Sequence, residues 1–190
     1  MSHRYFLMKA VLLGGVAFFL TTWVAMAGSH GQHHDMSAQG PHAALKTIDA
    51  DGHMQLSKED RCPVCGMFPA KRPKSAAAMV LKDGRTFYFC GNGCLLRTWH
   101  FSDRHLKVPA ESIQRMVVQD YFSGAPLDAE KAWWVAGSDV IGPMGPALVA
   151  LRTEQEMERF KERHGGRKVF RLGQMDDALW AELFPPKKHK

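Results

Sequence analysis

The reactive chemistry of this chain rests on four cysteines that fall in two pairs. Cys62-Pro63-Val64-Cys65-Gly66-Met67 places two thiols and a thioether on one short segment, and 24 residues then separate Cys65 from Cys90, with Cys94 four positions further on. Four chemistries fit such a set. As a zinc site, Cys62 and Cys65 form a knuckle, Cys90 comes back beside it, and Cys94 completes a tetrahedral tetrathiolate, although the spacing departs from the usual ribbon pattern. As disulfides, four cysteines allow three pairings. A thiol oxidoreductase also uses Cys-x-x-Cys, but its pair follows a buried strand and opens a helix that lowers the thiol pKa. Here Ser57 to Arg61 are polar or charged, and Gly66, Pro69 and Pro73 forbid a long helix just after the pair, which counts against that reading. The fourth chemistry joins Cys65 to Met67. Thiolate and thioether two residues apart on a glycine-containing loop are both soft donors, a combination that selects Cu(I) over zinc or iron. The commoner role of a methionine is to fill core space.

The elements that must position these sulfurs are legible in the pattern around them. Ala77 to Leu81 and Arg85 to Phe89 flank Lys82-Asp83-Gly84, a strong hairpin signal. A helix follows, with Asn92 as its expected cap and Leu95, Leu96 and Trp99 as its apolar stripe. Ile113 to Tyr121 reads as a strand. The same order then recurs. Ala132 to Val135 and Ala147 to Leu151 are strands, Thr153 and Glu156 form a capping box, and Met157, Phe160 and His164 mark one face of the helix it opens. Gly165-Gly166 stop that helix, Lys168 to Leu172 form a strand, and Met175 to Phe184 a closing helix. The expected fold is α+β: two similar strand-strand-helix-strand halves, residues 58–127 and 128–184, in one compact domain with a zinc-knuckle-like loop in the first half. Trp133, Trp134, Phe160 and Trp180 are its expected core aromatics, with exposure of one or two of them for partner contact as the alternative.

Composition bounds what the chain can be. With 45% hydrophobic and 23% charged residues among 190, it is neither a disordered polyelectrolyte nor a multi-span membrane protein. A formal charge of +6, part of it in the terminal segments, is a weak nucleic-acid footprint, and no nucleic-acid partner is expected. Arg4 and Lys9 precede an apolar run that ends in Ala25-Met26-Ala27, so residues 1–27 read as a signal peptide cut before Gly28; the alternative is an uncleaved anchor helix, short for a bilayer. No cysteine lies just after the run to carry a lipid anchor. Export would place the thiols in an oxidising compartment, where they need protection by a metal or a shuttle partner. Residues 28–57 are rich in Gly, Ser, Gln and His and read as a flexible arm whose His30, His33, His34, Met36, His42, His53 and Met54 offer weak metal donors. Residues 185–190 form a basic tail, at most a weak handle for anionic lipid.

Taken together, Cys62-Pro63-Val64-Cys65-Gly66-Met67, the strand pair around Lys82-Asp83-Gly84, Trp134-Val135 with Gly137-Ser138, Gly142-Pro143-Met144-Gly145 and the helix ending in His164-Gly165-Gly166 resemble the NosL family from about Cys62 to Leu172. The resemblance implies an exported accessory protein of nitrous oxide reductase that binds Cu(I) and delivers copper to that enzyme, and a fold of two small α+β halves. It places the copper ligands on Cys65 and Met67. This chain departs from the family in lacking a lipid-anchor cysteine and in having the Cys90 and Cys94 pair, which many members do not have.

The expected function is therefore that of a metallochaperone, a binding protein and not an enzyme, with a tetrathiolate zinc interaction module as the alternative. Cys65 and Met67 lead the ligand set. Cys62, Cys90 and Cys94 are further thiolates, and Met144 is a further thioether whose commoner role is packing at a turn. Cleavage before Gly28 would also leave Gly28-Ser29-His30 as an amino terminus able to enclose Cu(II) in four in-plane nitrogens.

Overall fold

The computed structural model describes residues 41–185; the signal-like segment, His30 and the last five residues of the tail lie outside the described residues. Folding of the first half is set by the Asp83-Gly84 turn. Gly84 takes φ 86°, a conformation L side chains rarely adopt, and Asp83 Oδ1 accepts the Arg85 amide at 3.0 Å. The turn joins β1 (Ala77–Leu81) to β2 (Thr86–Phe89) in antiparallel register, with Met79 opposite Phe87. Two helices follow, α1 (Asn92–His100) and α2 (Ser102–Leu106), before β3 (Ile113–Gln119) pairs with the other edge of β1. A short β4 (Pro126–Asp128), which the sequence pattern did not suggest, extends the sheet to the order β2-β1-β3-β4.

The second half contains β5 (Trp133–Ala136), a small hairpin of β6 (Ile141–Gly142) and β7 (Gly145–Pro146), β8 (Val149–Leu151), α3 (Glu154–His164), β9 (Lys168–Phe170) and α4 (Asp177–Leu183). Its three-stranded sheet has the order β8-β5-β9, antiparallel throughout. Apart from α2 and β4 in the first half and the inserted β6–β7 hairpin in the second, both halves follow one plan: the first strand lies in the middle, the second on one side, the third on the other, and helix links the second to the third. The expected repeat is present.

Strand alternation sends successive residues of the central strands to different apolar clusters. Ala77, Met79 and Leu81 of β1 face the largest apolar cluster while Ala78 faces a separate one; Trp134 and Ala136 of β5 join the same large cluster while Val135 packs with Met157 and Phe160 of α3. That large cluster draws Phe87, Phe89 and Leu95 from the first half and Ala150, Phe170 and Trp180 from the second, so the halves share one core. Hydrogen bonds fasten the same seam. The Tyr121 amide donates to the Ala150 carbonyl at 3.0 Å, and the Arg152 amide to Asp120 Oδ1 at 3.1 Å. Asp120 is buried, but its other oxygen accepts the Ser123 amide and hydroxyl, so the carboxylate is not left unpaired.

Two expectations are corrected. Gly91, not Asn92, is the N-cap of α1 and supplies no side-chain cap; the Asn92 side chain donates to the Leu148 carbonyl at 2.8 Å, tying α1 to the second half. The arm, expected to be flexible as far as residue 57, is fixed from about Pro41. The Ala44 amide donates to the Thr86 carbonyl at 2.7 Å, and Ile48, Met54 and Leu56 cover Ala78, Tyr88 and Val117 on the outer face of the first sheet. Met54 is thus a packing residue. A sheet with helices on only one face leaves an apolar surface that another segment must cover, and this one does.

Trp134 is fully buried and its Nε1 donates to the Ala129 carbonyl at 3.0 Å. Trp134→Ala is expected to lower the unfolding free energy by about 3–5 kcal/mol in urea titrations. The capping box at α3 is complete, with the Glu156 amide donating to Thr153 Oγ1 at 3.1 Å and the Thr153 amide to Glu156 Oε2 at 3.0 Å. Thr153→Ala is expected to cost about 1 kcal/mol in the same assay, and an unchanged midpoint would mean that the cap contributes nothing.

Candidate metal centre

The cysteine loop is closed by its own backbone. The Cys62 amide donates to the Met67 carbonyl at 2.8 Å, and the Gly66 amide to the Cys62 carbonyl at 2.8 Å. Gly66 makes that turn with φ 71°; no atom crowds the position a Cβ would take, so the requirement for glycine there is conformational. Upstream, buried Asp60 accepts the Ser57 amide at 2.7 Å and fixes the approach to the loop. Downstream, Pro69 and Pro73 open two short 3-10 turns, Pro69–Lys71 and Pro73–Ser75, where a helix is forbidden. These turns lead into β1. β2 then runs back, and its end delivers Cys90 beside the loop, where the Ser75 hydroxyl donates to the Cys90 carbonyl at 2.8 Å. Cys94 lies in the first turn of α1, its amide donating to Gly91.

The four Sγ atoms all lie within 4.8 Å of one another, with Cys65 to Cys90 at 3.4 Å and Cys90 to Cys94 at 3.7 Å. A metal with four sulfurs at about 2.3 Å has tetrahedral edges of about 3.8 Å, so the cluster already has nearly that size. All four are free thiols. Cys62, Cys90 and Cys94 are buried and Cys65 is half-buried, so Cys65 is the most exposed residue of the four. Their protonation is shared. Hydrogen bonds from Cys90 and Cys94 favour the Cys62 thiolate and lower its pKa against the opposing effect of burial. The same bonds hold the protons on Cys90 and Cys94, whose pKa values rise, with burial adding to the effect. A cation placed among the sulfurs does the work of those protons.

The other candidates surround this cluster at differing remove. Met67 shares the cysteine loop, is half-buried and packs against the main core. Met144 does not pack as expected of a methionine at a turn: it sits in the two-residue connection of the β6–β7 hairpin and is 59% exposed. It nevertheless lines a cavity of about 590 Å³ that also reaches Gly91 and Cys94. A second cavity of about 660 Å³ is lined by His42, Asp60, Arg61, Cys62, Gly66 and Tyr88, so His42 stands near the centre while His53 pairs with Asp49 elsewhere. Asp49, Asp51 and His53 form a small exposed group of donors that sequence reading missed in part: His53 drew notice, while the two aspartates had no spacing signal of their own.

Comparison with known proteins agrees with this fold. The sequence profile of the NosL family matches residues 53–180. The chain is 32% identical over 126 residues to the copper-binding lipoprotein NosL of Stutzerimonas stutzeri, a match covering 65% of each, so it spans about two thirds of that relative's length. The fold is similar to that in the crystal structure of the copper chaperone NosL from Shewanella denitrificans, with a TM-score of 0.54 and 20% identity over 68% of this chain and 99% of that one. Because the family profile covers more than half of the sequence, including the cysteine loop, both sheets and the GPMG hairpin, the chain belongs to the NosL family.

Proposed function

We propose that this protein is an exported Cu(I) metallochaperone that passes copper to a periplasmic cuproenzyme such as nitrous oxide reductase, and that it binds its cargo without transforming it. The observation that carries this reading is the gathering of four soft sulfurs of which one, Cys65, is half-exposed while three are buried. Buried thiolates are shielded from oxidants and water, and sulfur donors prefer Cu(I) to harder ions. A half-exposed ligand gives an incoming donor access, so the ion can gain a partner's ligand before it loses Cys65. Cys65 and Met67 hold the ion at the outer edge, and Cys62, Cys90 and Cys94 supply thiolates behind it. The copper-binding relative supports the cargo, and the apolar segment ending at Ala27 supports export. Among the described residues no helix is long and apolar enough to cross a membrane.

The near-tetrahedral spacing of all four thiols favours a second reading, a structural Zn(II) site in an interaction module. Metal analysis of protein purified anaerobically separates the two. Copper at about one ion per chain is expected; stoichiometric zinc that Cu(I) does not displace would establish the structural site instead.

Ligand substitutions make the same distinction. In competition with a Cu(I) chelator, Cys65→Ser is expected to weaken binding by more than about a hundredfold, beyond the loss typical of outer-shell partners. Met67→Ala is expected to weaken it less. Equal Cu(I) affinity in both variants and the parent would remove these residues from the ligand set, whereas equal zinc loss on replacing any one of the four cysteines would mark a tetrathiolate.

A further inference from the structure

The segment that runs from the Cys65 loop into β1 carries a cluster of positive charge that follows Glu59 and Asp60. Between Arg61 and Lys82 there is no Asp or Glu, and Arg61, Lys71, Arg72 and Lys74 are all exposed. None of these four pairs with a carboxylate among the described residues. Their placement is structured. The Arg61 guanidinium lies 4.1 Å from the centre of the Phe68 ring, the Lys71 ammonium lies 4.9 Å from it, and Arg61 also donates to the Gly66 carbonyl. The two 3-10 turns fix the backbone that bears Lys71 and Lys74. Arg61 borders the cavity that reaches Cys62, and Lys74 borders the one that reaches Cys94. Arg61 and Lys74 thus border the two cavities through which the cysteine cluster is approached, and Lys71 and Arg72 lie between them in sequence; these four residues are the cationic rim.

We propose that the rim is the docking surface for an acidic face of the copper-accepting protein, which it steers onto the half-exposed Cys65. This rests on the chaperone reading above and adds the chemistry of the partner. Unpaired surface charges contribute little to folding, but they raise the rate of encounter with a surface of opposite sign and lose that effect as salt screens them. An anionic bilayer is the other surface such a rim would attract. It is disfavoured here because the large apolar side chains that are well exposed, Leu45, Tyr121, Ile141 and Met144, all lie off this loop. Lipid phosphate also offers Cu(I) no soft donor.

The test follows Cu(I) transfer from the full chain to apo nitrous oxide reductase, comparing the parent with the triple variant Lys71→Glu, Arg72→Glu, Lys74→Glu. None of the three residues is a proposed ligand. The second-order rate for the parent is expected to fall about tenfold between 50 and 300 mM NaCl, and the variant is expected to be at least about tenfold slower at low salt and to gain rate as salt screens the reversed charge. The variant should hold Cu(I) as tightly as the parent in a chelator competition, which establishes that its centre is folded. Transfer that ignores both salt and charge reversal overturns the docking surface and leaves the chaperone reading intact. If the parent loads with Cu(I) but yields none to the enzyme at any salt, delivery to that enzyme and this inference both fail. Sedimentation with phosphatidylglycerol vesicles is the remaining comparison: uptake of the parent but not the variant, with equal transfer rates for both, would assign the rim to the membrane and overturn the proposal.

Discussion

Four thiols packed together and largely withdrawn from water are stable only when protons or a cation stand between them. Cys90 donates to Cys94 at 3.7 Å and lies 3.4 Å from Cys65, the neighbouring thiols favour the thiolate at Cys62, and charge on Cys90 or Cys94 is opposed both by that thiolate and by burial. The sulfurs do not hold themselves in place. Backbone hydrogen bonds of the cysteine loop, the strand register and the shared core hold them. Much of the rest of the fold can be understood as what keeps three separate segments of chain, the loop, the end of β2 and the start of α1, converged on one point.

That convergence depends on register. Slipping β2 by one residue against β1 would exchange its faces, moving Phe87 and Phe89 out of the main core and turning the chain at Cys90 away from the loop. The Asp83-Gly84 turn guards against this from one end. The Ser75 to Cys90 hydrogen bond guards against it from the other.

These local determinants are also what made the sequence legible. The Asp-Gly turn, the Thr153 capping box and the Gly165-Gly166 stop are each encoded within a few residues, and each is found where the pattern places it. The convergence of Cys62, Cys65, Cys90 and Cys94 follows from the order of those elements. What escaped depends on contacts distant in sequence. Asn92 is a good capping residue by type, yet a carbonyl 56 positions away claims its side chain. Met54 and Leu56 lie in a stretch with no hydrophobic period, because a segment laid across a sheet needs only scattered apolar anchors. β4 and the β6–β7 hairpin are too short for any period to register.

The repeat shows how one plan came to serve two ends. In each half the second strand leads into a helix that returns the chain to the third strand, and the junction must satisfy the free amides of the first helical turn. At α3 the side chains do so: Thr153 and Glu156 close the turn with a capping box. At α1 the N-cap is Gly91, no side chain caps it, and a cysteine stands in the first turn instead. The Cys94 sulfur, whose proton its neighbours Cys62 and Cys90 and burial hold in place, thus stands where the other half has its cap. The second half, which has no cysteine, instead contributes the apolar face that Trp134, Ala150 and Phe170 turn toward the centre's supporting core.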